Sequence, residues 1–201
     1  MVLSIDSFSD ILGISLINNN KPLIRESFYK IKPYSELIIA RLSQIFCEFS
    51  LKKEEITKIV VNKGPGSFTS LRVGITVAKT ISYALNIPVY AYISLDVMAY
   101  RYRYFKGNIT VLVNAGKGEI YIRRYISDGK NIKPISEITL EKLKLFQEKD
   151  TNGLIITKNV NIDKQHIEIV DDLSVDGCFY ALKQNLQEDV MRLEPLYIRG
   201  L

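Results

Sequence analysis

A single histidine and two cysteines in 201 residues leave little from which to build a metal centre. Zinc is held by imidazole and thiolate groups in sets, and one imidazole cannot furnish both a triad base and a metal ligand. His166 stands beside Gln165 in an alternating stretch, where a surface or strand-end position is expected, not catalysis. Cys47 and Cys178 lie far apart in stretches of helical spacing, which suits buried thiols in a reducing cytosol better than a disulfide framework. No apolar run approaches the roughly 18 residues that cross a bilayer. The opening Met1-Val2-Leu3-Ser4-Ile5-Asp6 has no basic leader, and Ser4 and Asp6 break its apolar run, so neither a signal peptide nor a membrane location is expected. Serines and acids are plentiful, yet none forms an evident set of nucleophile, base and acid, and nothing points to peptide hydrolysis.

What is present is an apolar fraction of 47%, ample for a packed core in one large domain or two small lobes. The net charge of +5 reads as spread along the chain, compatible with an RNA-handling assembly without demonstrating one.

The chain is organised around residues 59–86. Ile59-Val60-Val61 suits a buried strand, Gly64-Pro65-Gly66 must turn sharply, and Ser67 falls where a helix N-cap belongs. From Leu71, the positions Ile75, Ala78 and Leu85 form one apolar stripe, and Val73, Val77, Ile81 and Ala84 form a second beside it. One sheet needs a stripe only a little wider than about 100°. The surplus is either sandwiched inside its own domain or buried by another subunit, and Gly74, which would let a backbone approach closely, favours the packed interface. A glycine turn ahead of a helix also suggests a phosphate cradle. The Walker form fails here, because Ser67-Phe68-Thr69 follows the turn with no lysine, and Gly116-Lys117-Gly118 lacks the hydroxyl.

Before this stretch, residues 2–5, 11–17 and 23–29 read as a three-stranded meander, and Tyr34-Ser35-Glu36 leads a helix to about Phe49. Within it Ile38, Leu42, Ile45 and Phe49 share a face, with Ile39 and Phe46 adjoining. After it come a strand at 88–93 and a helix capped by Ser94. A meander followed by alternating strands and helices suits an α/β lobe of the actin/Hsp70 ATPase-like (ASKHA) fold, with mixed sheets flanked by helices. In that fold the first hairpin receives phosphate and magnesium, which makes Asp6 and Ser7 candidates for a degenerate nucleotide site, although a structural Asp closing a turn is the expected role. The segment Tyr100-Arg101-Tyr102-Arg103-Tyr104-Phe105-Lys106 interleaves cations with aromatics, as single-stranded nucleic-acid binders do, but a helix C-terminus is expected there. Gly107-Asn108 breaks the chain and places the expected boundary between an N-terminal lobe, 1–107, and a smaller degenerate lobe, 108–201. The second opens with Val111 to Ile122, whose strand, Asn114 and small turn echo Ile5-Asp6-Ser7 as an internal duplication. Strands near 154–156 and 167–170 and a helix at 174–186 complete it.

Gly64-Pro65-Gly66-Ser67-Phe68-Thr69-Ser70-Leu71-Arg72-Val73-Gly74, followed by Ala78-Lys79, Ile87-Pro88-Val89 and Ser94-Leu95-Asp96, resembles the signature of the TsaB (YeaZ) family of tRNA threonylcarbamoyladenosine biosynthesis proteins, relatives of the catalytic subunit TsaD. The closing Pro195-Leu196-Tyr197-Ile198-Arg199 resembles that family's end motif. Ser70 replaces the usual Gly, Tyr34 a His, and Asn114 and Lys117 an Asp and an Arg.

The resemblance implies a non-catalytic pseudoenzyme, a scaffold or activator that pairs with TsaD, recruits the ATPase TsaE and reaches tRNA through the complex in the cytoplasm. On the same resemblance it would need no cofactor itself, ATP, ADP and metal belonging to the partner subunits, and the same face could form a homodimer when TsaD is missing. The family interface is a bundle of N-lobe helices, which here implicates Ile39, Phe46, Phe68, Leu71, Val73, Gly74, Val77 and Ile81. The alternative from another class is an independent ATP-dependent small-molecule kinase or hydrolase using Asp6.

Overall fold

Alternation at the start of the chain sets the first sheet. The computed structural model describes residues 1–29, 33–148 and 152–198. Strand β1 (Val2–Asp6) pairs antiparallel with β2 (Ile11–Asn18), which pairs antiparallel with β3 (Lys21–Tyr29). On one face Leu3, Ile5, Leu12, Ile14 and Leu16 enter an apolar core; on the other stand Ser4, Asp6, Gly13 and Ser15. Helix α1 (Tyr34–Glu48) lays Ile38, Leu42 and Ile45 on the apolar face, and a short 3-10 turn at Lys53–Glu55 leads to β4 (Lys58–Asn62), parallel to β1.

Helix α2 (Phe68–Leu85) follows the glycine turn and adds Ile75, Val77 and Ala78 to the same core. Burying a side chain of the size of Ile75 stabilises the fold by roughly 1.5–3 kcal/mol, and the single methyl of Ala78 by less. Ser67 is the N-cap residue, as expected, yet its hydroxyl lies 3.0 Å from Ser70 Oγ and makes no capping bond. Asn86 ends the helix in the left-handed region, which its short amide side chain tolerates. Strand β5 (Val89–Tyr92) then pairs parallel with β4.

The next elements form a second sheet. Helix α3 (Ser94–Arg101) precedes β6 (Lys106–Gly116), which forms an antiparallel hairpin with β7 (Glu119–Asp128); β8 (Ile132–Pro134) and β9 (Thr139–Lys142) both pair with β7. After α4 (Leu143–Gln147), β10 (Leu154–Lys158) pairs parallel with β6, and β11 (Ile167–Glu168) parallel with β10. The order β8-β7-β6-β10-β11 repeats, in position and direction, the β3-β2-β1-β4-β5 of the first sheet. The internal duplication read from Asp6 and Asn114 is therefore a repeat of topology, and the expected α/β architecture of mixed sheets flanked by helices is present.

The chain then returns. Helix α5 (Ser174–Lys183) packs on β1, β2, β4 and β5, and β12 (Gln187–Glu188), which the sequence did not suggest, extends the first sheet beside β5. The compact units are thus residues 1–93 with 171–195, and residues 94–170 with 196–201. This corrects the single boundary after residue 107. That position lies inside β6, and α5 belongs to the first unit because the polar face of the first sheet needs a cover. Cys178 on α5 is buried, and burial pushes its thiol up to about 12; Cys47 on α1 is exposed, against expectation. Among the described residues no helix is long and apolar enough to cross a membrane.

Candidate functional site

Asp6 is the last residue of β1, and strand alternation turns it toward α5 with Ser4 and Asn62. Both carboxylate oxygens are occupied. Asn62 Nδ2 donates to Oδ1 at 2.9 Å, and the backbone N–H of Leu173 donates to Oδ2 at 2.6 Å. Asn62 Oδ1 in turn accepts the N–H of Gly64 at 2.8 Å, so one amide side chain ties the end of β1 to the glycine turn. Burial pushes the Asp6 carboxyl up to about 7, with the charge of Asp172 adding to it; the donors Leu173, Asn62 and the Phe8 backbone pull the other way.

The loop after β1 is closed from within. Phe8 is buried, its carbonyl accepts the N–H of Ser67 at 2.7 Å, and a β-carbon on Gly66 would lie 2.2 Å from that same oxygen. The glycine turn therefore seats this loop. Ser7 is fully buried, and its hydroxyl has no hydrogen-bond partner among the described residues. With both Asp6 oxygens taken and neither residue reaching the surface, the pair does not fit a nucleotide phosphate and its magnesium.

Sequence reasoning missed the partner of Asp6. Asp172 is fully buried beside it: Oδ2 accepts from Ser27 Oγ at 2.5 Å and Arg25 Nε at 3.2 Å, while Oδ1 accepts from the Ser174 N–H at 2.8 Å and its hydroxyl at 2.5 Å. Arg25 also reaches Asp171 at 2.9 Å. Ser174 continues the network to Ser15 Oγ at 2.6 Å and accepts from Ser4 through its carbonyl. Gly13 makes the room, since a β-carbon there would lie 2.3 Å from Asp172 Oδ1. The available signal was weak: polar residues alternating along β1 and β2, which ordinarily mark a solvated face.

The eight residues expected at a helical interface divide. Leu71, Gly74 and Val77 are buried in their own unit, which corrects their assignment to an outer surface. Gly74 makes its close approach to Ser7 of β1's loop: a β-carbon there would lie 2.2 Å from Ser7 Oγ. Phe46, Val73 and Ile81 are half-buried against the apolar core, so much of the second stripe is covered from within. Ile39 on α1 and Phe68 on α2 stand 55% and 52% exposed. The outer stripe of α2 that remains is Phe68, Arg72, Thr76, Thr80 and Tyr83, with the Arg72 guanidinium 5.3 Å from the Phe68 ring. Arg41 fixes α1 beneath this surface by paired bonds to Glu26 of β3 at 2.5 and 2.6 Å and by bonds to Glu48.

Other singled-out residues serve structure. Lys79 Nζ donates to the carbonyls of Met191 and Leu193, both at 3.1 Å, holding the returning segment on α2. Arg103 stacks on Tyr100 and Tyr104, with centroids at 4.2 and 4.4 Å, in the turns after α3, the expected helix end. Asn114, exposed, accepts the N–H of Gly116 at 2.7 Å and shapes the β6–β7 turn. His166 Nδ1 contacts the Lys164 carbonyl at 2.8 Å. Arg199, the end of the closing motif, lies outside the described residues.

Comparison with known proteins agrees along most of the chain. The family model described as TsaD, tRNA N6-adenosine threonylcarbamoyltransferase, matches residues 30–192. The chain is 31% identical over 173 residues to the tRNA threonylcarbamoyladenosine biosynthesis protein TsaB of Bacillus subtilis (strain 168), covering 84% of this chain and 76% of that one. It is 30% identical over 157 residues to the protein of the same name from Buchnera aphidicola subsp. Acyrthosiphon pisum (strain APS), covering 76% and 70%. The solved structure of YeaZ from Pseudomonas aeruginosa superposes with a TM-score of 0.77 over 98% of this chain and 99% of that one, at 14% identity, a likeness of fold.

Proposed function

Since this chain belongs to the TsaD family and within it to the TsaB (YeaZ) proteins, we propose that it acts in tRNA threonylcarbamoyladenosine formation as a non-catalytic subunit. A TsaD-type subunit would carry the transfer chemistry and this chain would hold it in its active arrangement, with a TsaE-type ATPase joining the pair and tRNA bound through the assembly. The observation that carries the non-catalytic reading is the sealed end of β1: Asp6 has both oxygens occupied and Ser7 is closed in against Gly74. A group so placed cannot meet a reacting atom without unfolding its own loop. On this reading ATP, ADP and metal would be bound by the partner subunits, and this chain would need none of them to fold or bind.

The docking surface is the outer face of α1 and α2. Ile39 and Phe68 supply exposed apolar anchors, Phe46, Val73 and Ile81 a half-buried margin, and Arg72 and Tyr83 residue types enriched at interfaces. The same face would pair two copies in the absence of TsaD. Reconstitution tests the whole reading: tRNA modification by TsaD- and TsaE-type proteins is expected only when this chain is added, in the cytoplasmic buffer conditions where all are soluble. Equal modification without it, or threonylcarbamoyl transfer by this chain alone, refutes the proposal.

A further inference from the structure

One end of one face of the second sheet is exposed among the described residues. Leu112, Ile120, Ile122 and Ile155 on that face pack against Phe146 of α4 and against Val160 and Ile162. Farther along the same face alternation brings up Lys106 and Asn108 on β6, Ile126 on β7 and Lys133 on β8, all exposed. Asn108, Ile126 and Lys133 form one cross-strand row, and half-buried Arg124 and exposed Ile135 lie beside it. Asp128, opposite Lys106, is turned to the backbone N–H groups of Lys130 and Asn131, at 2.8 and 2.7 Å.

A cavity of about 710 Å³ opens at the margin of this face, lined by Phe105, Gly153, Lys164, Gln165 and His166 among others. Gly153 packs directly on Asn108, which joins cavity and face. Phe105 is 40% exposed and the neighbouring Tyr104 69%. Charge is distributed accordingly. Residues 1–93 and 171–195 balance 13 Lys and Arg against 13 Asp and Glu, whereas residues 94–170 carry 13 against nine. The positive excess, read from the sequence as spread along the chain, lies outside the first unit.

We propose that this open face of the second sheet binds single-stranded RNA, with phosphates along Lys106, Arg124 and Lys133 and an unstacked base in the cavity against Phe105. An open sheet carrying cations and an edge aromatic is a known physical solution for single strands, because stacking is tolerant of sequence and the phosphates supply salt-dependent affinity. Gln165 offers both a donor and an acceptor to a base edge. The site lies where β6 and β10 begin, at the opposite end of the sheet from the Asn114 turn. The choice of RNA over an acidic protein rests on the proposed role in tRNA modification.

The test is fluorescence anisotropy of a labelled, unmodified tRNA transcript with the full chain across a salt series, beside poly-glutamate as a competitor. Lys106→Glu with Lys133→Glu is expected to weaken RNA binding at least tenfold and to lower the slope of log K against log salt by about 1.4. Phe105→Ala is expected to weaken it about tenfold with the salt slope unchanged. Circular dichroism of each variant should match the parent, since all three side chains reach the surface. Undiminished RNA affinity in the lysine variant, or displacement by poly-glutamate as effective as by unlabelled RNA, overturns the inference. Co-elution of the parent chain with a TsaD-type protein is read separately: its absence counts against the proposed subunit role, not against this face.

Discussion

Gly74 of α2 lies so close to Ser7 that a β-carbon would stand 2.2 Å from the serine oxygen and 3.2 Å from its β-carbon. Helix and loop meet backbone to side chain, with no slack. Gly74→Ala is therefore expected to destabilise the chain by about 1–3 kcal/mol, the usual cost of overpacking, despite alanine's better helix propensity. Ser7→Ala removes a buried hydroxyl without a hydrogen-bond partner and should be neutral or mildly stabilising. The two changes together should recover part of the loss. Urea unfolding of the four-member cycle measures the coupling, and simple additivity would show that the contact is not the cause.

Asp6 makes stability depend on pH in an unusual direction. Its carboxyl titrates near 3.8 when unfolded and at about 7 in the native chain, chiefly because burial disfavours the charge and Asp172 repels it. Between those values the native state holds the extra proton, so stability from this group is fully present below the unfolded value of 3.8 and is lost as pH rises through about 7. Thermal melts should show a midpoint that falls from pH 5 to pH 8. Asp6→Asn should flatten that fall, whatever it does to the absolute midpoint. A parent midpoint constant across that range would mean the three donors at Asp6 outweigh its burial.

That network also shows what a sequence can and cannot declare. The meander, the glycine turn and the apolar stripes of α1 and α2 were legible because each is a local period: two for β1 and β2, about three and a half for the helices. Leu3, Ile5, Ile75 and Ala78 fall in the core as the periods require. Ser4, Asp6, Ser15 and Asn62 follow the same alternation, and polar residues at that spacing read as solvent-facing. Here α5, arriving from beyond the second sheet, buries them and answers with Asp172 and Ser174. Nothing local to either segment announces that meeting, and for the same reason the division into units does not follow the break at Gly107. The second stripe of α2 is largely internal because Val77 and Ile81 pack into the same core that holds Ile38, Leu42 and Ile45 of α1, a neighbour that helical spacing alone does not position.

The same correction decides which substitutions probe the partner surface. Val77 is 9% exposed and part of the core, so Val77→Glu should unfold the chain by burying an unpaired charge, and loss of partner binding would then be uninformative. Ile39 projects outward from α1. Ile39→Glu is expected to leave the melting temperature within a few degrees of the parent and to abolish co-elution with a TsaD-type protein. Retained co-elution with Ile39→Glu and Phe68→Glu together would move the interface off these helices.

Sealing of the β1 loop carries a prediction about nucleotides. A phosphate near Asp6 would have to displace Asn62 or Leu173 from the carboxylate and open the Phe8 contact with Ser67 and Gly66. Each lost hydrogen bond would leave a buried donor unpaired, costing about 1–3 kcal/mol, so the rearrangement would consume most of what a millimolar ligand gains. Calorimetric titration of the chain with magnesium-ATP is expected to show no saturable heat below the millimolar range. Asp6→Ala should then leave the titration unchanged while lowering the melting temperature, since Asn62 and the Leu173 N–H lose their shared acceptor. Tight magnesium-dependent binding abolished by Asp6→Ala would instead restore the ATP-dependent enzyme and require the loop to open in solution.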